Sequence, residues 1–300
     1  MKRARPLPSD LPHFSAPAKL NLFLHITGRR ADGYHELQTL FRLLDHGDRL
    51  AFAVNDSGRV RRVTEVPGVP PEQDLVVRAA QVLQRRCGTR QGVDIWLDKR
   101  LPLGGGLGGG SSDAATVLRV LDRLWGCHLA QDELLALGRA LGADVPVFVA
   151  GHTAWAEGVG ERLTPLSLPP DWYLVVRPPV HIATAELFVA PELTRDCRPL
   201  KIRDFLAAGA ENVFEPLVRQ RYPAVREALD WLARFAPTRL TGTGSCLFAT
   251  FPGRAAAEAV QRRLPSRWQS FVAAGVDRSP LLRELEALSA PTVSWAVAKR

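Results

Sequence analysis

Long apolar runs and closely spaced cysteines are both missing from this sequence. No apolar run approaches the ~18 residues that a helix needs to cross a bilayer, so we expect no transmembrane helix. The N-terminal segment 1–14 is basic but has no apolar core, so we expect no secretory signal. The four cysteines are Cys87, Cys127, Cys197 and Cys246, and they form no CxxC pair. We therefore expect reduced thiols and a cytoplasmic location.

The usual signatures of a zinc enzyme and of a nucleic-acid surface are also weak. The seven histidines include no HExxH motif. The formal net charge of +8 is compatible with RNA or DNA binding and with attraction for small anionic ligands. The arginines lie in short separate groups such as 59–62 and 85–86, without interleaved aromatic residues. We expect no nucleic-acid or membrane partner, and we infer no obligate protein partner.

The first half of the sequence alternates between strand and helix patterns. Apolar residues alternate over 19–26 and over 93–97, which predicts two strands. An amphipathic pattern predicts a helix over 114–125, with Ser111 or Ser112 as its N-cap. A second helix is predicted over 131–141, ended by Gly142.

A different pattern begins near residue 163. It predicts a strand over 172–176, helices over 224–235 and 254–264, and a pair of strands flanking 241–246. A chain of 300 residues is long enough for two domains. The sequence therefore predicts a mixed α+β fold with two lobes that meet near residue 160.

The glycine-rich segment 104–112 is the strongest indication of function. Glycines let backbone N–H groups approach a phosphate, and the start of the following helix adds partial positive charge. The segment lacks the lysine of a GxxxxGK[ST] loop. It matches GxGxxG, but the preceding strand alternates, which disfavours a dinucleotide fold and an NAD-dependent oxidoreductase. A plain connecting loop is the remaining alternative.

Other candidate residues are ambiguous when each is considered alone. Asp144 in a Gly-Ala-Asp-Val-Pro segment is either a catalytic carboxylate or a helix cap. Lys19 is either a catalytic cation or a surface residue at the start of a strand. Tyr34 and His35 are either ligand-binding residues or loop residues. Cys246 has no visible activating histidine, so we expect a packing role for it.

Four motifs in order resemble those of the GHMP kinases, the family of galactokinase, homoserine kinase, mevalonate kinase and phosphomevalonate kinase. The glycine-rich motif spans 102–115 and resembles the phosphate loop of that family. The other motifs are 17–22 with 30–35, 141–148 and 240–246. The resemblance runs from about residue 16 to about residue 280. It is closest to the branch that phosphorylates a cytidine-diphosphate-linked isoprenoid precursor.

The resemblance implies the fold, the domain bounds and the cofactors. We expect a flexible tail over 1–15, a ribosomal-S5-like ATP-binding and catalytic domain over 16–162, a ferredoxin-like substrate-binding domain over 163–284, and a tail over 285–300. ATP and Mg²⁺ are expected at the glycine-rich loop. Its expected ATP-binding residues are Pro102, Leu103, Gly104, Gly105, Gly106, Leu107, Gly108, Gly109, Gly110, Ser111 and Ser112.

The resemblance also implies roles for the ambiguous residues. Asp144 would accept the proton of the substrate hydroxyl, and Lys19 would keep Asp144 ionised and stabilise negative charge. In the family, an aromatic pair stacks on the cytosine, a histidine hydrogen-bonds its polar edge, and nearby polar residues contact the rest of the substrate. The matching substrate-binding residues here are Tyr34, Phe188, His35, Thr184 and Asn21.

Besides the weaker oxidoreductase interpretation, two alternatives remain at this stage. A homoserine- or mevalonate-type kinase would have no use for the Asp-Gly-Tyr-His segment, and an RNA-binding protein would need neither Asp144 nor the glycine loop. Asp74 is a departure, because the family usually has an asparagine there whose side chain lies near the adenine. Asp and Asn cap helices about equally well, so we predict that Asp74 caps the helix that follows it.

Overall fold

The computed structural model describes residues 7–31, 33–70 and 73–288. Within them the chain forms ten strands and ten helices. The strands are β1 (Phe14–Arg29), β2 (His35–Asn55), β3 (Val60–Arg62), β4 (Gly92–Asp98), β5 (Ala154–Glu157), β6 (Arg162–Pro165), β7 (Trp172–Arg177), β8 (Thr238–Leu240), β9 (Leu247–Phe251) and β10 (Gln269–Val276). The helices are α1 (Leu75–Cys87), α2 (Gly109–Leu124), α3 (Gln131–Leu141), α4 (Val145–Ala150), α5 (Thr184–Phe188), α6 (Ile202–Ala208), α7 (Glu215–Arg221), α8 (Pro223–Leu232), α9 (Arg254–Gln261) and α10 (Pro280–Leu288).

Most of the predicted elements are present. The alternating segments 19–26 and 93–97 lie in β1 and β4, and α3 has the predicted bounds, with Gly142 as its C-cap. The predicted strand pair around 241–246 consists of β8 and β9, which are antiparallel. The α+β fold class is therefore confirmed. No helix in the described part of the chain has both the length and the apolar character needed to span a membrane.

The long strand β2 joins the two halves of the protein. It pairs antiparallel with β1, β4 and β5, and near its middle it also pairs with β10. The sheet order is β3-β4-β2-β10-β7-β9-β8, so one sheet passes from the N-terminal half into the C-terminal half. The crossing point requires Gly275, because a Cβ atom there would collide with the side chains of Arg42 and Tyr173. Arg42 is only 1% exposed and is ion-paired with Asp277.

Helices cover this sheet and complete two main cores. In the N-terminal half, α1 to α4 and α10 bury apolar side chains against β2 and β4. In the C-terminal half, α5 and α7 to α9 pack on β7 and β9. Strand β1 is buried on both faces, because Leu20 and Phe23 belong to different hydrophobic clusters. The sheet and its helices therefore form two well-buried cores joined through β2.

The predictions for the chain ends were partly wrong. Phe14 and Ser15 fall in the predicted flexible tail 1–15, but they begin β1, and Phe14 is buried in the core. Helix α10 extends to Leu288, and Leu285 is buried, so residues 285–288 are not a tail. Phe14 and Leu285 are apolar side chains near the two ends, and both pack in the main core. The polar residues around them in the sequence had suggested exposed tails. Residues 1–6 and 289–300 lie outside the described residues.

The expectation of four reduced thiols was also wrong. Cys87 and Cys127 form a disulfide, with their Cα atoms 5.6 Å apart. Cys87 ends α1 and Cys127 follows α2, so the C-terminal ends of these two packed helices lie together. The two cysteines are 40 residues apart in the chain, so local sequence patterns did not indicate this proximity. Cys197 and Cys246 are free thiols.

Candidate active site

The glycine-rich loop has a backbone that only glycines permit. Gly104, Gly106 and Gly108 have φ values of 67°, 78° and 70°. A Cβ atom on Gly106 would collide with the carbonyl oxygen of Thr241, and one on Gly108 would lie 2.8 Å from the Phe148 ring. The loop is thus held closely against neighbouring segments, with the N–H groups of the first turn of α2 at its end.

Helix α2 begins earlier than the sequence predicted. Its N-cap is Gly108 in the left-handed conformation, so the prediction of Ser111 or Ser112 as N-cap was wrong. A glycine can adopt this conformation without strain, which lets the helix start within the glycine run. Ser112 is fully buried, and its hydroxyl has no hydrogen-bond partner among the described residues.

Two backbone hydrogen bonds fasten the loop from opposite sides. The N–H of Lys19 donates to the carbonyl of Leu107 at 3.0 Å, and the N–H of Cys246 donates to the carbonyl of Gly105 at 3.1 Å. Cys246 is fully buried beneath the loop, and burial raises the pKa of its thiol to about 12. The predicted packing role of Cys246 is confirmed, because such a thiol stays protonated at neutral pH.

A buried group of three ionisable side chains anchors the start of the loop and of α2. The ammonium of Lys99 lies 2.5 Å from Asp48 and 2.7 Å from Asp113. Asp48 also accepts the N–H groups of Arg100 and Leu101 at 2.6 and 2.7 Å. Burial raises the pKa of Asp113 to about 8, and the charge of Asp48 acts in the same direction, while Lys99 opposes the shift. Sequence analysis did not identify this group.

Lys19 and Asp144 form an ion pair opposite the glycine loop. The Nζ of Lys19 lies 3.2 Å from Oδ2 of Asp144, and the two side chains are 3% and 36% exposed. Lys19 also donates to Oδ1 of Asn21 at 2.6 Å. The Asp144 side chain makes no capping hydrogen bond to α4, which follows it. Lys19 is therefore held inside the protein, while Asp144 presents its carboxylate to solvent.

Asn21 is fixed by a small polar network. Its Nδ2 donates to Oγ1 of Thr39 at 2.9 Å, and its backbone N–H donates to Oγ1 of Thr241 at 3.0 Å. Thr39 and Thr241 are fully buried. Sequence analysis did not identify either threonine. Thr241 lies within a motif that it did identify, whereas Thr39 lies in an unremarkable apolar stretch.

One cleft of about 580 Å³ brings most of the predicted site residues together. It is lined by every residue from Pro102 to Ser111, by Lys19, Asn21 and Asp144, and by Thr184 and Phe188 from the C-terminal half. A larger cavity of about 1380 Å³ adjoins it and shares Lys99, Pro102 and Leu103 with it. Ser112 and the pair Tyr34–His35 do not line this cleft.

The predicted base-binding residues lie near one end of the cleft. His35 packs on Phe188, with their ring centroids 5.2 Å apart. Burial, with smaller effects of Arg195 and Arg29, lowers the pKa of His35, which favours the neutral ring. Tyr34 is 66% exposed and lines a separate depression with Arg139. The structure thus brings His35 and Phe188 into contact and places Tyr34 in the adjacent depression.

The predicted capping role of Asp74 is confirmed. Its carboxylate accepts the N–H of Val76 at 2.9 Å, at the start of α1. Its other oxygen forms a buried ion pair with Arg62, which the sequence did not indicate. Asp74 lines neither the cleft nor the adjoining cavity.

These features together define a class of protein. A glycine-rich loop at a helix start, facing a lysine–aspartate pair in a water-accessible cleft, is the arrangement of a small-molecule kinase. Sequence profiles agree: that of the GHMP kinases N terminal domain matches residues 74–152, and that of the GHMP kinases C terminal matches 198–270.

Relatives and solved structures narrow the class. A 4-diphosphocytidyl-2-C-methyl-D-erythritol kinase of Ectopseudomonas mendocina is 58% identical over 91% of this chain and 94% of its own length. Another of that name, from Alkalilimnicola ehrlichii, is 60% identical over the same shares. A crystal structure of 4-(cytidine 5'-diphospho)-2C-methyl-D-erythritol kinase superposes with a TM-score of 0.77 and 36% identity, covering 88% of this chain and all of that chain. A homoserine kinase from Cytophaga hutchinsonii, 16% identical with a TM-score of 0.67, shares the fold. The chain belongs to the 4-diphosphocytidyl-2-C-methyl-D-erythritol kinases, within the GHMP kinase family.

Proposed function

We propose that this protein transfers the γ-phosphoryl group of ATP to the 2-hydroxyl of 4-diphosphocytidyl-2-C-methyl-D-erythritol. The observation that carries the proposal is the Lys19–Asp144 pair, which lies in one cleft with the glycine loop. The high identity to kinases of that name favours this substrate over homoserine or mevalonate. The reaction would serve the non-mevalonate route to isoprenoids, in the cytoplasm, where ATP is available.

The chemistry follows from the two charged side chains. The hydroxyl oxygen of the substrate attacks the γ-phosphorus, the bond between that phosphorus and the β–γ bridging oxygen breaks, and ADP leaves. Asp144 accepts the hydroxyl proton as the new bond forms, which is the usual role of a carboxylate in this reaction class. Lys19 stabilises the ionised carboxylate and the negative charge on the transferring group. Asn21 orients the Lys19 ammonium through their 2.6 Å contact.

The nucleotide fits across the cleft and the adjoining cavity. The phosphates would bind the backbone N–H groups of the loop and of the first turn of α2. The adenosine would then extend past Pro102 and Leu103, which border both spaces, into the larger cavity. Lys99 stays engaged with Asp48 and Asp113, so we assign it to fixing the loop rather than to neutralising phosphate.

Mg²⁺ fits this site as a companion of ATP. Proteins often hold Mg²⁺ through one or two oxygen ligands together with substrate phosphates. In the cleft, Ser111 and Asp144 offer such oxygens beside the loop. When bound, the ion would neutralise charge on the phosphates.

The cytidine end of the substrate would lie near His35 and Phe188. Phe188 offers a face for stacking, Tyr34 supplies a second aromatic side chain, and neutral His35 can hydrogen-bond the polar edge of cytosine. The Nε2 of His35 is buried and has no partner among the described residues, so a ligand would satisfy it. Thr184, which pairs with Thr243 at 2.8 Å, borders the same part of the cleft.

An assay with competing alcohols tests the function. Purified protein is incubated with ATP, Mg²⁺ and, separately, the cytidine-diphosphate methylerythritol, homoserine and mevalonate, while ADP release is followed. We expect release that depends on the cytidine-linked substrate and stays near background with the other two. Equal rates with homoserine or mevalonate would overturn the proposal.

A further inference from the structure

Arg62 is a buried arginine that ties three points of the chain together. It is the last residue of β3, and its side chain is 7% exposed. Its guanidinium donates to the carboxylate of Asp74, to the carbonyl of Thr64 and, at 3.2 Å, to the carbonyl of Val69. A planar guanidinium with five donors can hold several acceptors at fixed angles, whereas an ammonium is a compact point charge.

The chain between these contacts, residues 63–69, forms one wall of the larger cavity. All residues from Val63 to Pro67 line that cavity. The wall is attached at its beginning, because the N–H of Leu97 donates to Oγ1 of Thr64 at 2.8 Å. At its other end, Arg62 holds the carbonyl of Val69. The guanidinium therefore closes the segment into a loop, and it joins the two ends of that loop through one side chain.

Asp74 connects this arrangement to helix α1. One of its oxygens accepts the helix N–H of Val76, and the other pairs with Arg62. Both oxygens are thus engaged, and the residue is only 5% exposed. Its carboxylate is directed to the arginine and the helix, and it does not border the cavity.

We propose that Arg62 is a positioning residue for the nucleotide. It holds the wall, residues 63–69, in the shape that packs against the base of ATP, and Asp74 acts by fixing Arg62 instead of contacting the base. The inference rests on the proposed function, because it takes the larger cavity as the site of the adenosine. According to this proposal, the buried Arg62–Asp74 ion pair contributes to selectivity for the phosphoryl donor, although it lies outside the cleft.

Two variants separate the charge of Arg62 from its geometry. Arg62→Lys keeps a cation beside Asp74 but loses the fork that spans the two carbonyls. The double variant Arg62→Leu with Asp74→Asn removes both buried charges and retains a capping side chain. Neither leaves an unpaired buried charge, so both are expected to fold, which circular dichroism and thermal melting check.

We expect both variants to weaken binding of a non-hydrolysable ATP analogue about tenfold, measured by calorimetry. At saturating ATP, kcat and the KM for the alcohol should stay within twofold of the unsubstituted protein. The matched control is Arg61→Leu, since Arg61 is the neighbouring residue of β3, is 66% exposed and pairs with Asp94 on the surface. That control should bind the analogue normally.

Unchanged analogue binding in both folded variants would overturn the inference. So would a parallel loss of kcat and alcohol affinity, because it would indicate general damage to the fold. The binding measurement needs no alcohol, so it distinguishes the two proposals. A protein that binds the analogue but phosphorylates none of the alcohols contradicts the proposed function, while the Arg62 comparison can still be made.

Discussion

The Nζ of Lys19 and the Oδ2 of Asp144 lie 3.2 Å apart, although one residue belongs to β1 and the other precedes α4. The lysine is almost fully buried, and its other neighbours are Oδ1 of Asn21 and the Phe41 ring, whose centroid is 5.2 Å away. The pair therefore places a buried positive charge beside a carboxylate that is partly exposed to the cleft.

Loss of either member of this pair should reduce turnover far more than ATP binding. We expect Asp144→Asn and Lys19→Ala to lower kcat by ~100-fold or more, the usual effect of removing an acid–base or electrostatic group. Steady-state ADP release measures kcat, and calorimetry measures ATP affinity. Asp132→Asn, an exposed carboxylate of α3, is the control and should be fully active. A folded Asp144→Asn protein with nearly full kcat would contradict the proton-acceptor role.

The aromatic residues near the cleft end should affect the cytidine substrate alone. Tyr34→Ala and Phe188→Ala should each weaken its binding by ~1–3 kcal/mol, the range for a lost base–aromatic stack. Val189→Ala is the control, because Val189 follows Phe188 and is 77% exposed. The KM for ATP should barely change. A parallel rise in that KM would show that the aromatic residues shape the cleft and do not bind the base.

Gly106 should be irreplaceable within the loop. Its φ of +78° is strained for other residues, and a Cβ atom would collide with the carbonyl of Thr241. We expect Gly106→Ala to weaken ATP binding tenfold or more, measured by calorimetry, because the loop must move to relieve the collision. The control Gly253→Ala has extended backbone and open space around the added methyl group. Equal ATP affinity in the two variants would refute the requirement.

Asp113 should make the protein less stable as the pH rises. Burial raises its pKa in the folded protein from 3.8 to about 8. Between these values the folded protein keeps a proton that the unfolded chain releases, so the free energy of unfolding falls with increasing pH. Asp113→Asn removes this titration. Its free energy of unfolding relative to the unsubstituted protein, from urea denaturation at pH 5 to pH 8, should therefore increase with pH. An identical pH dependence in both proteins would show that Asp113 is ionised throughout.

Local sequence patterns were enough to predict the strand, the loop and the helix that surround the glycine run. The alternation over 93–97, the glycine run and the helix pattern after it gave β4, the loop and α2. The start of α2 was misplaced because serine is a favoured cap in general, whereas Gly108 adopts a left-handed conformation that permits an earlier start.

Contacts between distant segments could not be predicted in this way. The pairs Cys87–Cys127, Arg62–Asp74 and His35–Phe188 join residues whose spacing follows no helical or strand period. Resemblance to a family identified Lys19 and Asp144 as a pair, since each alone had an ordinary structural explanation. It did not identify Lys99 or Thr39, because their importance depends on buried partners that only the folded chain brings together.

The continuity of the sheet through β2 limits how this enzyme opens. Leu43 and Leu44 pair with Val276 and Gly275, so the sheet continues from one half into the other. A rigid-body rotation of one half against the other would have to break the pairing between β2 and β10. We therefore expect ligands to enter and leave through movements of the segments that border the cleft, while the two halves keep their relative position. Scattering experiments should accordingly find the same overall dimensions with and without nucleotide. Bound nucleotide should slow hydrogen exchange in the segments that border the cleft.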